Sequence, residues 1–214
     1  MVLTENFGKK LMTLSLVGAM GMLASCDDDN PIAEAVDEIE ETSELQQLQE
    51  TWQAPCAEST VLNASSVEKI SFEGNDFTKT MNISSDSSCS STEGVVTMTG
   101  EFSIDETSAD TDEVYNLDLT YQQMKITLNN ETAVDIFNAV NFCGVEDWTV
   151  GEEVVIESSE TGEDCFVSEL PKTVYGKVEV DDSEDKMYLS AEFVDESENR
   201  PETVDRAKVY TEVD

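Results

Sequence analysis

The sequence predicts an all-β domain: one antiparallel up-and-down β-barrel of about eight strands with a single helix. Three observations predict it. From Thr51 onward, apolar and polar residues alternate in short runs, the mark of a sheet with one buried and one wet face. A single segment, after Asn130, changes to helical spacing. The stretch from Thr51 is about 160 residues long and shows no internal repeat, which suits one small domain.

The elements follow in order. Ile70 and Phe72 alternate with Ser71 and Glu73; Gly74-Asn75-Asp76 is a turn signal, and Phe77, Met81 and Ile83 mark the returning strand. Val96, Met98, Phe102 and Ile104 share a face, with Gly100 between them where another backbone can approach closely. Tyr115, Leu117, Leu119 and Tyr121 alternate, and so do Met124, Ile126 and Leu128. Asn130 can cap a helix beginning at Glu131, with Val134, Phe137, Val140 and Phe142 on one face and Gly144 closing its C-terminal end. Val174, Val178 and Val180 form the next strand. A turn over residues 181–185 leads to Met187, Leu189, Ala191 and Phe193. Val209, Thr211 and Val213 close the domain.

The region before this domain is different. Lys9 and Lys10 are followed by a short apolar run from Leu11 to Leu23, the layout of a secretory signal peptide and too short for a permanent membrane span. The run ends in Leu23-Ala24-Ser25-Cys26, followed by Asp27-Asp28-Asp29. These four residues resemble the lipobox of bacterial lipoproteins. The resemblance implies that Cys26 becomes the first residue and carries acyl chains (diacylglycerol and palmitate-type). One chain binds a bilayer only marginally, so stable anchoring takes the full modification. The expected organisation is therefore a signal peptide at residues 1–25, a lipidated Cys26 with an acidic tether at 26–50, and the barrel at 51–214. The tether holds ten acidic residues and no basic one, so self-repulsion should extend it. A weak helix near Leu45 and Leu48 is the alternative for part of it.

The chain carries 48 acidic and 11 basic residues, a net charge of −37, and no histidine. Such a field repels nucleic acid and anionic headgroups, so no nucleic-acid partner is expected. It attracts cations and basic proteins, though its plain reading is a surface kept soluble in a salty medium. Without histidine there is no Ser-His-Asp or Cys-His catalysis and no His-ligated zinc. Phosphate-binding and dinucleotide-binding glycine loops are also missing from the sequence. No catalytic residue, metal ligand or cofactor is assigned, and carboxylate chemistry cannot be picked out among so many acids.

With Cys26 given to lipid, Cys56, Cys89, Cys143 and Cys165 remain. Four cysteines in an exported domain read as two disulfides with three possible pairings. The sequence-nearest pairing, Cys56–Cys89 and Cys143–Cys165, is expected, each bridge contributing roughly 3 kcal/mol. Asp105, Asp110, Asp112 and Glu113 suggest a Ca²⁺ loop, but their spacing lacks a central glycine and suits a solvated hairpin better. The acidic turn at residues 181–185 reads the same way. Trp52, Trp148 and the Phe and Tyr residues either line a ligand cavity or fill the barrel. Arg200 and Arg206 are read as salt-bridge partners rather than an anion clamp.

Trp52 near the start of the first strand, the strand count and a late helix resemble the lipocalin-like (calycin) barrels, although Glu50-Thr51-Trp52 stands where that superfamily has Gly-x-Trp. Trp52-x-x-x-Cys56, Cys143-Gly144 before Asp147-Trp148, and Arg200-Pro201 with Asp205 and Tyr210 are also similar to a group of functionally uncharacterised lipoproteins of Gram-negative bacteria. The resemblance implies a barrel and an envelope location. The resulting expectation is a membrane-anchored, non-enzymatic envelope protein. Its partners would be the bilayer, through acylated Cys26, and a small apolar ligand. The alternatives are an acidic binder or inhibitor of a basic protein such as a lysozyme, and a carboxylate-based hydrolase. Trp52 is expected to be buried, and Trp148, in a loop, to matter less.

Overall fold

The computed structural model describes residues 48–59, 64–105, 114–156, 165–167, 169–181 and 183–213. Its strands are β1 (Thr51–Gln53), β2 (Ala57–Ser59), β3 (Ala64–Glu73), β4 (Asp76–Ser84), β5 (Gly94–Asp105), β6 (Val114–Leu128), β7 (Glu153–Ile156), β8 (Lys172–Asp181), β9 (Lys186–Leu189) and β10 (Val209–Glu212). Helix α1 (Glu131–Val140) lies between β6 and β7. Neighbours pair antiparallel in the order β1-β10-β9-β8-β6-β5-β4-β3, and β1 pairs back onto β3. The result is the expected closed eight-strand antiparallel barrel, with helix α1 lying between two of its strands. Closure removes the sheet edges that would otherwise invite pairing with other chains.

Two walls of the barrel are each made in two pieces. β1 and β2 both pair with β3, in registers Gln53↔Lys69 and Ala57↔Ser66. Ala54, Pro55 and Cys56 thus face only Val67 and Glu68, which is a bulge. Pro55 has no N–H to give a ladder, and a bulge is where a strand tolerates that. On the other side, β7 and β8 both pair with β6, at Met124↔Ile156 and Tyr121↔Lys172. Between these pairings β6 advances by Gln122 and Gln123 alone, and residues 165–167 and 169–171 make an excursion before β8. Cys143–Cys165 fastens this excursion to the turn after α1, and Cys56–Cys89 fastens the Pro55 bulge to the β4–β5 loop.

The inward positions fill most of the interior. Trp52, Ile70, Phe72, Phe77, Val96, Leu117, Leu119, Met124, Ile126, Leu128, Val178 and Met187 are all buried. Phe72 meets Phe102 edge-on at 4.8 Å, and Phe77 meets Tyr121 at 5.2 Å. Packing also reaches upstream of Thr51. Leu48 is 2 % exposed, and the Gln49 side chain bonds both N–H and C=O of Gly74.

The odd inward phase through Tyr121 changes to an even one from Met124. These two runs are one continuous strand. Gln122 is an extra residue opposite the Thr99–Gly100 step, so β6 bulges there and each half keeps its apolar face inward. Gly100 allows it: a Cβ there would stand 1.9 Å from the Thr120 carbonyl oxygen. Gly100→Ala should therefore destabilise the domain by about 3 kcal/mol, because backbone must move. Urea unfolding monitored by tryptophan fluorescence checks this, and an unchanged midpoint would refute the close approach.

Three sequence expectations are corrected. On β10 the buried residue is Tyr210, whereas Thr211 is exposed and Val209 and Val213 are half-buried; pairing of Tyr210 with inward Met187 fixes that phase. β9 ends at Leu189, and Ala191 is exposed. Helix α1 begins as expected, Asn130 Oδ1 accepting from Ala133 N at 2.8 Å. It stops at Val140, because Asn141 takes the left-handed conformation (φ 49°) and caps it; Gly144 closes the short 3₁₀ turn beyond. Val140 consequently faces solvent.

Candidate functional site

Alternation along β3 puts Glu68 in phase with Ile70 and Phe72, so its side chain is aimed into the barrel. Lys79 has the same relation to Phe77 and Met81 on β4. The register sets Ile70 opposite Lys79 and Glu68 opposite Met81, which makes Glu68 and Lys79 diagonal inward neighbours. Lys79 Nζ lies 3.3 Å from Glu68 Oε2. Lys208 Nζ lies 2.8 Å from Glu68 Oε1, and the Tyr210 hydroxyl donates to Oε2 at 3.0 Å. Tyr210 arrives there because β10 and β3 flank β1.

An ionised carboxylate inside a barrel survives only when its charge is met. Burial pushes the Glu68 carboxyl up, but Lys79, Lys208 and the Tyr210 hydroxyl outweigh it and hold the pKa down at about 2. For Lys79, burial works against the charge, and the electrostatic attraction of Tyr121 and Glu68 more than offsets it, so its pKa is raised. Burial and the adjacent Glu68 push the Tyr210 phenol well above its ordinary value. The cluster is thus Glu68⁻, Lys79⁺, Lys208⁺ and a neutral Tyr210 at neutral pH. A carboxylate held at about 2 does not give up a proton there, so Glu68 is unsuited to general-acid work.

This cluster forms one wall of a cavity of about 510 Å³. Phe166, Val167, Val174, Leu189 and Phe193 form the apolar part of its lining. Phe166 and Val167 belong to the excursion that Cys143–Cys165 holds in place. At the rim, Lys172 bridges Glu169 at 3.3 Å and Asp195 at 3.1 Å, both more than half exposed. The interior is therefore partly packed and partly hollow. A second groove of about 390 Å³ runs beside α1 between Ile83, Leu128 and Phe137.

The residues singled out in the sequence are placed as follows. Cys56 pairs with Cys89 and Cys143 with Cys165. Trp52 and Trp148 are both core residues and neither lines the 510 Å³ cavity. Trp148 is as buried as Trp52, because Asn138 accepts from its N–H and donates to its C=O, and Phe137 meets its ring at 5.4 Å. Arg200 donates to Leu117 O, Gly176 O and Asp118 Oδ1 and stacks on Tyr175, while Arg206 pairs with Glu179. Both arginines bridge strands. Asp105 ends β5 and is exposed; Asp110, Asp112 and Glu113 lie outside the described residues. Asp181 accepts from Ser183 in a plain turn, and Asp182 is outside the described residues. Among the described residues no group of three acidic or thiol side chains is placed to hold a metal ion. Cys26 and the acidic stretch through residue 47 also lie outside them. No helix among the described residues is long and apolar enough to cross a membrane.

Sequence reasoning missed Glu68, Lys79, Lys208, Tyr121 and Tyr210 as one constellation. The available signal was a charged residue in the inward phase of an otherwise apolar strand face, twice in succession around one hairpin. No protein-family model matches the chain, and no curated protein is significantly similar to it.

Proposed function

We propose that this chain is a membrane-anchored, non-enzymatic envelope protein whose barrel holds a small, largely apolar ligand. The cavity of about 510 Å³ carries the reading. Its volume falls in the usual range of ligand sites, roughly 300–1,000 Å³, and it sets the apolar side chains of Phe166, Val167, Val174, Leu189 and Phe193 against eight polar or charged ones. The lack of histidine and the locked ionisation of Glu68 support binding over catalysis. Anchoring rests on the Leu23-Ala24-Ser25-Cys26 sequence and the acids that follow it.

Mass spectrometry of the mature protein should find an N-terminal Cys26 bearing acyl chains; an unacylated N-terminus on protein from the soluble fraction would refute the anchor. Organic extraction of protein purified from membranes should release a small apolar molecule in near-stoichiometric amount. Ligand-free protein whose melting temperature no apolar probe raises would refute the carrier reading, since a ligand that binds only the native state must stabilise it.

A further inference from the structure

We infer that the ligand of this cavity carries a single anionic group, seated on the Lys79 ammonium and the Tyr121 hydroxyl. The inference rests on the reading of the cavity as a ligand site and names the charge of its occupant. Three cationic side chains (Lys79, Lys172, Lys208) and two carboxylates (Glu68, Asp195) line the cavity. With Glu169, which pairs with Lys172 at the rim, these charges balance, so the cavity is far less negative than the rest of a chain of net charge −37.

The hydrogen-bond inventory gives the sign more sharply. Both Glu68 oxygens are occupied: Lys208 on one, Lys79 and Tyr210 on the other. A cationic ligand would have to displace a lysine from Glu68, and Lys79, if displaced, would lose its carboxylate partner at a poorly exposed place. Lys79 is the opposite case. Its ammonium has three N–H donors, and Glu68 is its one carboxylate partner among the described residues. Its side chain is only 23 % exposed, so its remaining donors face the cavity rather than bulk solvent. Tyr121 lines the same cavity and is only 8 % exposed. An anionic oxygen placed there gains charge-assisted hydrogen bonds and displaces nothing. The apolar remainder of the molecule would lie against Phe166, Val174 and Phe193.

Three probes with one alkyl chain test this: decanoate, decanol and decylammonium, titrated into the folded domain by calorimetry. Decanoate should bind at least about tenfold more tightly than either of the others. Tyr121→Phe keeps the ring and should remove most of that preference while leaving decanol affinity within about twofold. Lys79→Met should abolish the preference, with circular dichroism confirming the fold. Equal affinity for decanoate and decanol would overturn the anionic seat and leave the cavity reading intact. Tighter binding of decylammonium would reverse the sign of the assignment. Failure of all three to bind would overturn both.

Discussion

Truncating Trp52 to alanine should lower the unfolding free energy by about 3–5 kcal/mol, the usual cost of emptying a buried aromatic site. Trp52 is 2 % exposed and lies on β1, the strand that pairs with β10 on one side and β3 on the other. Its indole N–H donates to Leu48 O at 3.5 Å, which helps hold the segment packed under the barrel. Removing the ring empties the core beneath the closing strand and loosens Leu48 with it. A stability of 5–15 kcal/mol is typical of a domain, so much of the molecule should be unfolded at modest urea concentrations. Trp148 provides the comparison. It is equally buried, but its indole N–H finds no partner among the described residues. Trp148→Phe removes an unsatisfied donor together with part of the ring, two effects of opposite sign, and should be close to neutral. Trp52→Phe has no such compensation. Urea midpoints of the three variants decide this, and a Trp52→Ala protein as stable as the native one would refute the role of β1 in closure.

These two tryptophans show where the sequence was legible. Burial of Trp52 follows from its place at the head of an alternating run. Burial of Trp148 does not, because it depends on Asn138 ten residues earlier bonding its backbone, a tertiary contact with no periodic signature. The strand faces on β3 through β6 were readable because one face is apolar and the period is two. The phase change between Tyr121 and Met124 was visible, yet it reads equally well as two strands; only pairing with Thr99 and Gly100 shows a bulge. The sequence of β10 points one residue out of phase because Val209, Thr211 and Val213 are all good strand formers. Length and partners, not propensity, decided that short strand. Asn130 announced the start of α1 by its own chemistry, whereas its end depended on Asn141 accepting a left-handed backbone. The polar cluster stayed hidden for a different reason. In a chain with 48 acids, one inward Glu looks like surface charge until its partners are known.

Glu68→Gln should destabilise the domain at neutral pH by about 3–5 kcal/mol, since it leaves two ammonium groups facing a neutral amide inside the barrel. The acid limb of stability should change with it. Glu68 is held at about 2 against an ordinary 4.5. Its ionisation therefore favours the folded state above about pH 4.5, and the contribution is lost as the pH falls from 4.5 towards 2. A depression of that size corresponds to roughly 3 kcal/mol at neutral pH. Protonation of the other carboxylates relieves their mutual repulsion over the same range and works the opposite way. The diagnostic is thus the difference between native and Glu68→Gln stabilities at each pH: constant above 4.5 and shrinking below it. A difference that stays constant down to pH 2 would refute the assignment. The double variant Glu68→Leu/Lys79→Met separates structure from recognition. It exchanges a buried pair for apolar groups of similar size, which is often neutral or better for stability. Lys208, 36 % exposed, can turn its ammonium to water. Stability should return to within about 1–2 kcal/mol of native, while preference for decanoate over decanol should not return. If both return, the cluster serves neither as a charge trap nor as an anion seat. If stability returns alone, the barrel keeps an ion pair that its fold does not require, and the reason for it lies in what the cavity holds.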